Sequence, residues 1–169
     1  MVLYGTTHWV GDGITTAQII APEHREIDDP AVLAAECLAT VDPHLAEHVR
    51  DGDVLLTGHD FGCGDHADRA VLSLQAVGFV ALVCASVAPT FEQAATLYGL
   101  PILTSAEASN ALVPGYVARL DLVRGIIKPH NSDTTFATHP CTPEVIATVQ
   151  RLQLLRYMRQ VVEEEGFDG

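Results

Sequence analysis

Apolar and polar positions divide most of this chain into short strands and helices. The run Asp53-Val54-Leu55-Leu56-Thr57 reads as a short buried strand. Behind it Ala67, Ala70, Val71, Leu74 and Val77 recur at helical spacing and predict a helix to about Val77. An apolar strand from Phe79 to Ala85, a helix from Pro89 to Tyr98 and a strand at Ile102 to Thr104 follow. Tyr116 to Asp121 and Gly125 to Lys128 alternate around a turn at Leu122 to Arg124, the pattern of a hairpin, and Thr134 to Ala137 predicts a further short strand. Upstream, Ile14 to Ile20 reads as a short strand or extended loop. Asp29 and Pro30 suit the N-cap and first turn of a helix through Ala31, Leu33, Ala34 and Leu38, and Leu45 to Arg50 predicts a second short helix. Thr142-Pro143-Glu144 opens a terminal helix through Val145, Val149, Leu152 and Leu155 to about Glu164, continuous because no glycine interrupts Gln150 to Tyr157. Strands interleaved with helices, without repeats or long linkers, predict an α/β fold in one domain over residues 1–169.

Composition narrows the function. A hydrophobic content of 48% supports a substantial core. A formal charge of −13 leaves no basic patch for a phosphate backbone, which excludes nucleic acid as the expected partner. No apolar run reaches the roughly 18 residues that span a bilayer. Met1-Val2-Leu3-Tyr4-Gly5 has neither the basic region nor the apolar core of a signal peptide, so no membrane contact and a cytoplasmic location are expected. Cys37, Cys63, Cys84 and Cys141 are widely spaced with no C-x-x-C pair, so this chain is expected to bind no metal of its own. His8, His44, His48, His130 and His139 are scattered without ligand spacing.

The chemistry concentrates between the strand ending at Thr57 and the helix starting at Ala67. Gly58-His59-Asp60-Phe61-Gly62-Cys63-Gly64-Asp65-His66 is a glycine-punctuated turn leading into a helix N-terminus. Unpaired N–H groups of a first helical turn, with the positive end of the helix dipole, favour a carboxylate or phosphate there.

These residues carry a family resemblance. The chain resembles the small subunits of 3-isopropylmalate dehydratase and their relatives, equivalent to the swivelling domain of aconitase. The family's opening segment, Gly-Asp-Asn-Ile-Asp-Thr-Asp-x-Ile-Ile, is similar to Gly11-Asp12-Gly13-Ile14-Thr15-Thr16-Ala17-Gln18-Ile19-Ile20. Its central motif, Gly-x-Asn-Phe-Gly-x-Gly-Ser-Ser-Arg-Glu-His-Ala, lines up with Gly58 to Ala70. Val80 to Phe91 and Tyr98 to Leu103 match the next strand, helix and strand. The resemblance implies a single swivelling β/β/α domain like the aconitase C-terminal domain. It also implies a large subunit carrying a [4Fe–4S] cluster, whose open iron acts as a Lewis acid on a 2-hydroxy di- or tricarboxylate while this chain closes over the site.

The chain departs from the motif where the chemistry lies. Asp65-His66-Ala67 stands where the family has Ser-Ser-Arg, in which the first serine transfers the proton and the arginine holds a substrate carboxylate. Asp65 is therefore the candidate base. An aspartate is already ionised at neutral pH, whereas a serine alkoxide must be generated, although the carboxylate is the weaker base toward a carbon-bound proton. His66 is the second catalytic candidate, because histidines titrate near neutrality and either bind an anion or pass a proton. The purely structural alternative makes Asp65 the cap of the helix, with Asp68 three residues on in a capping-box-like position. A carboxylate there would compete with substrate for the same N–H groups.

Gly62, Cys63, Gly64 and Thr16 are candidate substrate contacts by their place in the two motifs. His24 and Arg25 fall in the family's substrate-recognition loop, where they suit an acidic or hydroxylated group through charge-assisted hydrogen bonds; the alternative is a solvated loop in which Arg25 pairs with Glu26 or Asp28. His59 is expected to brace the turn, and Asp60 exchanges the family's asparagine for a charged acceptor. Cys63 as a nucleophile would need a base to form its thiolate, and the resemblance argues against that use. The expectation is a small subunit of an aconitase-type hydro-lyase or isomerase. The competing readings are a regulatory subunit that binds without chemistry and a stand-alone enzyme using Asp65, His66 and Cys63.

Overall fold

The computed structural model describes residues 1–166. Strand β1 (Val2–Trp9) leads to a short helix α1 (Thr16–Ile19), a 3₁₀ turn at Pro22–His24, and helices α2 (Pro30–Glu36) and α3 (Leu45–His48). Then β2 (Asp53–Leu56), α4 (Ala67–Val77), β3 (Phe79–Cys84), α5 (Pro89–Tyr98), β4 (Ile102–Thr104) and α6 (Ala106–Ala111) alternate. β5 (Val117–Asp121), β6 (Ile126–Pro129), β7 (Phe136–Ala137) and α7 (Pro143–Glu164) complete the order.

One seven-stranded sheet runs β4-β3-β2-β1-β5-β6-β7. β1 to β4 pair in parallel, whereas β1-β5, β5-β6 and β6-β7 pair antiparallel. Every residue of β2 is buried, because alternate side chains feed two separate cores. Leu55, Leu82 and Cys84 point toward Val71, Leu74 and Phe91 of α4 and α5. Val54, Leu56, Ala81 and Val83 pack with Ala118, Leu120 and Ile127 of the antiparallel half and with Ala108 of α6. The antiparallel strands thus share a core with one face of the parallel strands, and helices cover the other. That is a β/β/α arrangement, and near-continuous apolar strands are what two-sided burial demands.

Most expected elements stand within two residues of their predicted limits, including the hairpin and the uninterrupted terminal helix of 22 residues with Thr142 Oγ1 accepting from the Val145 N–H. Three features differ. Ile14 to Ile20 is not a strand: Thr15 and Gln18 form a reciprocal capping box that starts α1. The strand β1 was not predicted, because Gly5, Thr6, Thr7 and His8 break its apolar alternation; Gly5 is buried against Gly52 and Val54 of the β2 side. The helix α6 was missed too, its small residues Ala106, Ala108 and Ser109 giving a weak periodicity although Ser105 caps it by accepting from Ala108.

Phe91 is the side chain on which the site rests. It is fully buried and meets Phe61 edge-on, with centroids 5.1 Å apart and planes at 87°. Phe91→Ala removes that support and is expected to lower unfolding free energy by about 3–5 kcal/mol, read as a lowered urea midpoint at unchanged slope.

Candidate active site

The parallel strands β1, β2 and β3 release three loops at their carboxyl ends, the region where open α/β sheets gather ligands. Backbone bonds stitch these loops into one unit. Gly58 donates to Gly11 O at 3.0 Å, Gly13 to His59 O at 2.8 Å and Gly62 to Ile14 O at 2.7 Å. Thr16 donates to Cys63 O at 3.0 Å. On the other side Phe61 donates to Ser86 O at 3.2 Å and Ala88 to Phe61 O at 2.8 Å.

Two glycines are obligatory here. The Asp12 carboxylate occupies the space a side chain on Gly58 would fill, and its Oδ1 accepts from the His59 N–H at 2.7 Å. Gly62 lies over the Phe91 ring, where an added Cβ would sit 2.5 Å from Cγ, and its φ of +83° independently disfavours any side chain.

From Asp60 to His66 every second residue has a positive φ: Asp60 +56°, Gly62 +83°, Gly64 +125° and His66 +61°. The N–H groups of Asp60, Phe61 and Gly62 are taken by Ser86 Oγ, Ser86 O and Ile14 O, so only the later part of the segment, at Cys63 and Gly64, has the nest-like turn with N–H groups left for an anion. The nest runs directly into α4, whose N-cap is His66 in the left-handed conformation, with no side chain capping the first turn. Cys63, Gly64, Asp65 and His66 are exposed, whereas Gly62 and Thr16 are buried beneath them. The structural alternative for Asp65 is therefore overturned: it does not cap the helix, and no capping box with Asp68 forms. The reason is geometric. The left-handed backbone at His66 shifts the start of the helix one residue beyond Asp65. The first-turn N–H groups stay uncapped by the chain's own side chains, and Asp65 is left as an exposed carboxylate beside them.

His59 and Asp60 contribute through backbone only. Their side chains are exposed, while their N–H groups are held by Asp12 and by Ser86 Oγ at 2.8 Å.

The loop that carries His24 and Arg25 is tied to α4 by Arg69, a residue that the sequence pattern does not single out. Arg69, one turn along α4 from Asp65, donates Nε to Arg25 O at 2.6 Å and Nη2 to Ile27 O, and pairs with Asp28 Oδ1 at 3.2 Å. Asp28 is bound by Arg69, not by Arg25 as the solvated-loop alternative has it. Arg25 Nε and His24 Nδ1 are buried without a hydrogen-bond partner among the described residues, and His24 Nε2 lies 3.5 Å from Glu36 Oε2. An unpaired buried guanidinium nitrogen is costly unless water or a ligand reaches it. No sequence signal marks Arg69, since its three oxygen partners at Arg25, Ile27 and Asp28 meet it only in the folded chain.

No family model matches the chain. Curated relatives do: the 3-isopropylmalate dehydratase small subunit of Caldicellulosiruptor saccharolyticus is 31% identical over 170 residues, spanning 100% of this chain and 98% of that one. The 3-isopropylmalate dehydratase small subunit of Moorella thermoacetica is also 31% identical, over 96% of this chain and 98% of its own. This chain belongs to the 3-isopropylmalate dehydratase small-subunit family. The crystal structure of 3-isopropylmalate dehydratase from Methanocaldococcus jannaschii superposes with a TM-score of 0.79 at 26% identity, over 94% of this chain and 99% of that one. The aconitase-type β/β/α fold expected from the resemblance is thereby borne out.

An iron–sulfur cluster does not fit the donors this small-subunit homologue offers. Among the described residues no three His, Cys, Asp or Glu side chains gather as a metal site. Burial pushes the thiols of Cys37 and Cys84 up to about 12 and about 11, and raises that of Cys141, so three of the four are poor thiolates. Cys63 alone is exposed. Brief alkylation at mildly alkaline pH should add one label, at Cys63, with Cys37 and Cys84 modified only on unfolding; peptide mass mapping reads the order.

Arg69→Met removes the clamp without changing chain length. It should destabilise the fold by about 1–3 kcal/mol and speed hydrogen exchange selectively in residues 22–28.

Proposed function

We propose that this chain is the small subunit of a hydro-lyase of the aconitase type, acting on a 2-hydroxy di- or tricarboxylate similar to 3-isopropylmalate together with an iron–sulfur large subunit. The observation that carries this reading is the uncapped N-terminus of α4, preceded by alternating positive φ and flanked by exposed Asp65 and His66. These groups lie open on the surface, as half of a site completed by another chain requires. The cluster belongs in this reading to that partner, and small-subunit chemistry is confined to binding and proton transfer. The whole of residues 1–169 forms one swivelling domain, working in the cytoplasm; no helix among the described residues is long and apolar enough to cross a membrane.

The substrate is a polyanion in a chain of formal charge −13, so its carboxylates need local positive potential. The N–H groups of Cys63 and Gly64 and the first turn of α4 supply it for one carboxylate, the Gly62 N–H being held by Ile14 O. Ala67 replaces the family's carboxylate-binding arginine, and Arg25, with Nε unpaired, takes over a cationic role from the neighbouring loop. His24 and Arg25 meet the variable end of the substrate, favouring a polar or acidic group over an isopropyl group. Buried Thr16 fixes Cys63 through its backbone and closes the floor below Gly64. Asp65 would take the proton from the carbon next to the hydroxyl-bearing one, and as the double bond forms the C–O bond breaks and the hydroxyl leaves as water after gaining a proton, the partner's cluster supplying the Lewis acidity for that departure; hydration reverses each change. His66 holds the adjacent carboxylate or relays that proton.

Co-purification with an iron–sulfur large subunit under anaerobic conditions, followed by an absorbance assay for dehydration across a panel of 2-hydroxy acids, tests this. Asp65→Ala should lower kcat by about 10²–10⁴-fold with the complex intact, and Arg25→Ala should act mainly on KM. An intact complex whose activity ignores Asp65→Ala would leave this chain a regulatory subunit. Activity of the isolated chain after chelation would instead make it a stand-alone enzyme.

A further inference from the structure

The helix α7 is apolar on two faces. Its first turns pack on the domain through Val145 and Val149, which are the buried residues of its 22. Beyond Leu152 the helix stands away: a groove of about 440 Å³ lies between its inner side and Ala76, Phe79 and Val80. The Arg156 Nε–Asp51 Oδ2 ion pair at 3.2 Å anchors this half. On the opposite face Leu154, Met158, Val161 and Val162 recur at i, i+4, i+7 and i+8, the spacing of a packed stripe. Leu154, Met158 and Val162 are 58%, 53% and 52% exposed, and Leu155 beside them 49%. A free helical segment of this length is marginal in water, and apolar residues in register on its outer face lower its solubility without stabilising it.

The charges around the stripe name its occupant. Arg151 stands at one end and Glu165 at the other, seven residues either side of Met158. The last turn of α7 has no basic residue, and Glu163, Glu164 and Glu165 crowd its C-terminal end, where the helix dipole disfavours carboxylates. A surface that is basic at one end, apolar along its length and acidic at the other is complementary to itself when reversed.

We propose that the outer stripe of α7 pairs antiparallel with the same stripe of a second copy of this chain, with the two-fold axis at Met158. In that register Met158 meets Met158, Leu154 meets Val162, Leu155 meets Val161, and each Arg151 sits over the Glu165 of the other copy, relieving the acidic helix end. One patch serves both copies, as a two-fold interface requires. The α7 stripe is distinct from the turn at Gly58 to His66, so each copy keeps its candidate site.

Sedimentation equilibrium of the full chain from low to high micromolar concentration tests the pairing, with circular dichroism confirming unchanged helix content in each variant. The mass should rise from 18.1 kDa toward twice that value. Met158→Glu, which places like charges on the axis, should hold it at the monomer. Arg151→Glu should weaken the dimer about tenfold, since two attractions become repulsions, and adding Glu165→Arg to it should restore pairing. A wild-type chain that stays monomeric throughout overturns the proposal. So does a dimer that survives Met158→Glu, an Arg151→Glu dimer that the second substitution does not rescue, or a monomeric chain whose Met158→Glu variant fails to bind the large subunit.

Discussion

The turn between β2 and α4 exists because two places in it can hold no side chain. Asp12 fills the space at Gly58, and the Phe91 ring fills the space at Gly62. Each contact joins loops from different strands: Asp12 comes from the end of β1, Phe91 from the helix after β3. Close approach of backbone to these groups lets the three loops share hydrogen bonds, and the shared bonds hold the alternating positive φ from Asp60 to His66. Non-glycine residues in the left-handed region cost about 1–2 kcal/mol each, and two of them, Asp60 and His66, are kept there. The scaffold stores that strain in the segment that faces solvent, and buries what enforces it.

The sequence made the framework legible where burial is two-sided or one-sided and unbroken. β2 and β3 announce themselves as near-continuous apolar runs because they feed two cores, and α4 and α5 because each carries one apolar stripe into the first of these. β1 carries none: Thr7 is buried by hydrogen bonds of its hydroxyl to Val113 O and Tyr116 O, so a polar residue occupies a core position. The glycine turn was legible as a turn into a helix N-terminus from its glycine spacing and the resemblance. The position of the cap was not, since residue type favours Asp65 and only the backbone at His66 decides against it. Nor was Arg69, because a lone arginine on an amphipathic helix reads as solvated until its loop partners are located in space.

Electrostatics then ties the departures from the family motif together. The chain has nine cationic side chains against 22 acidic ones, and a polyanionic substrate must find the former. Arg69 is committed to the loop it clamps, so its charge is already partly neutralised by Asp28. Arg25 is different: its carbonyl is held by Arg69 while its Nε stays unpaired. The clamp therefore fixes the backbone of the residue whose Nε has no partner among the described residues.

Moving a cation from position 67 to position 25 is not equivalent to keeping it. At 67 an arginine would lie on the first turn of α4, sharing its carboxylate with the helix N-terminus. At 25 the charge lies on the recognition loop, so a second anionic or hydroxyl group is held apart from the first. Ala67 meanwhile leaves the first turn open, and Asp65 beside it adds a negative charge that a singly bound carboxylate would oppose. In the proposed reading the combination would favour substrates whose two polar ends are both engaged, the turn taking one and the loop the other, over substrates with an apolar tail. In that reading the selectivity rests on the cost of leaving Arg25 Nε and His24 Nδ1 unpaired when a ligand lacks the second polar group.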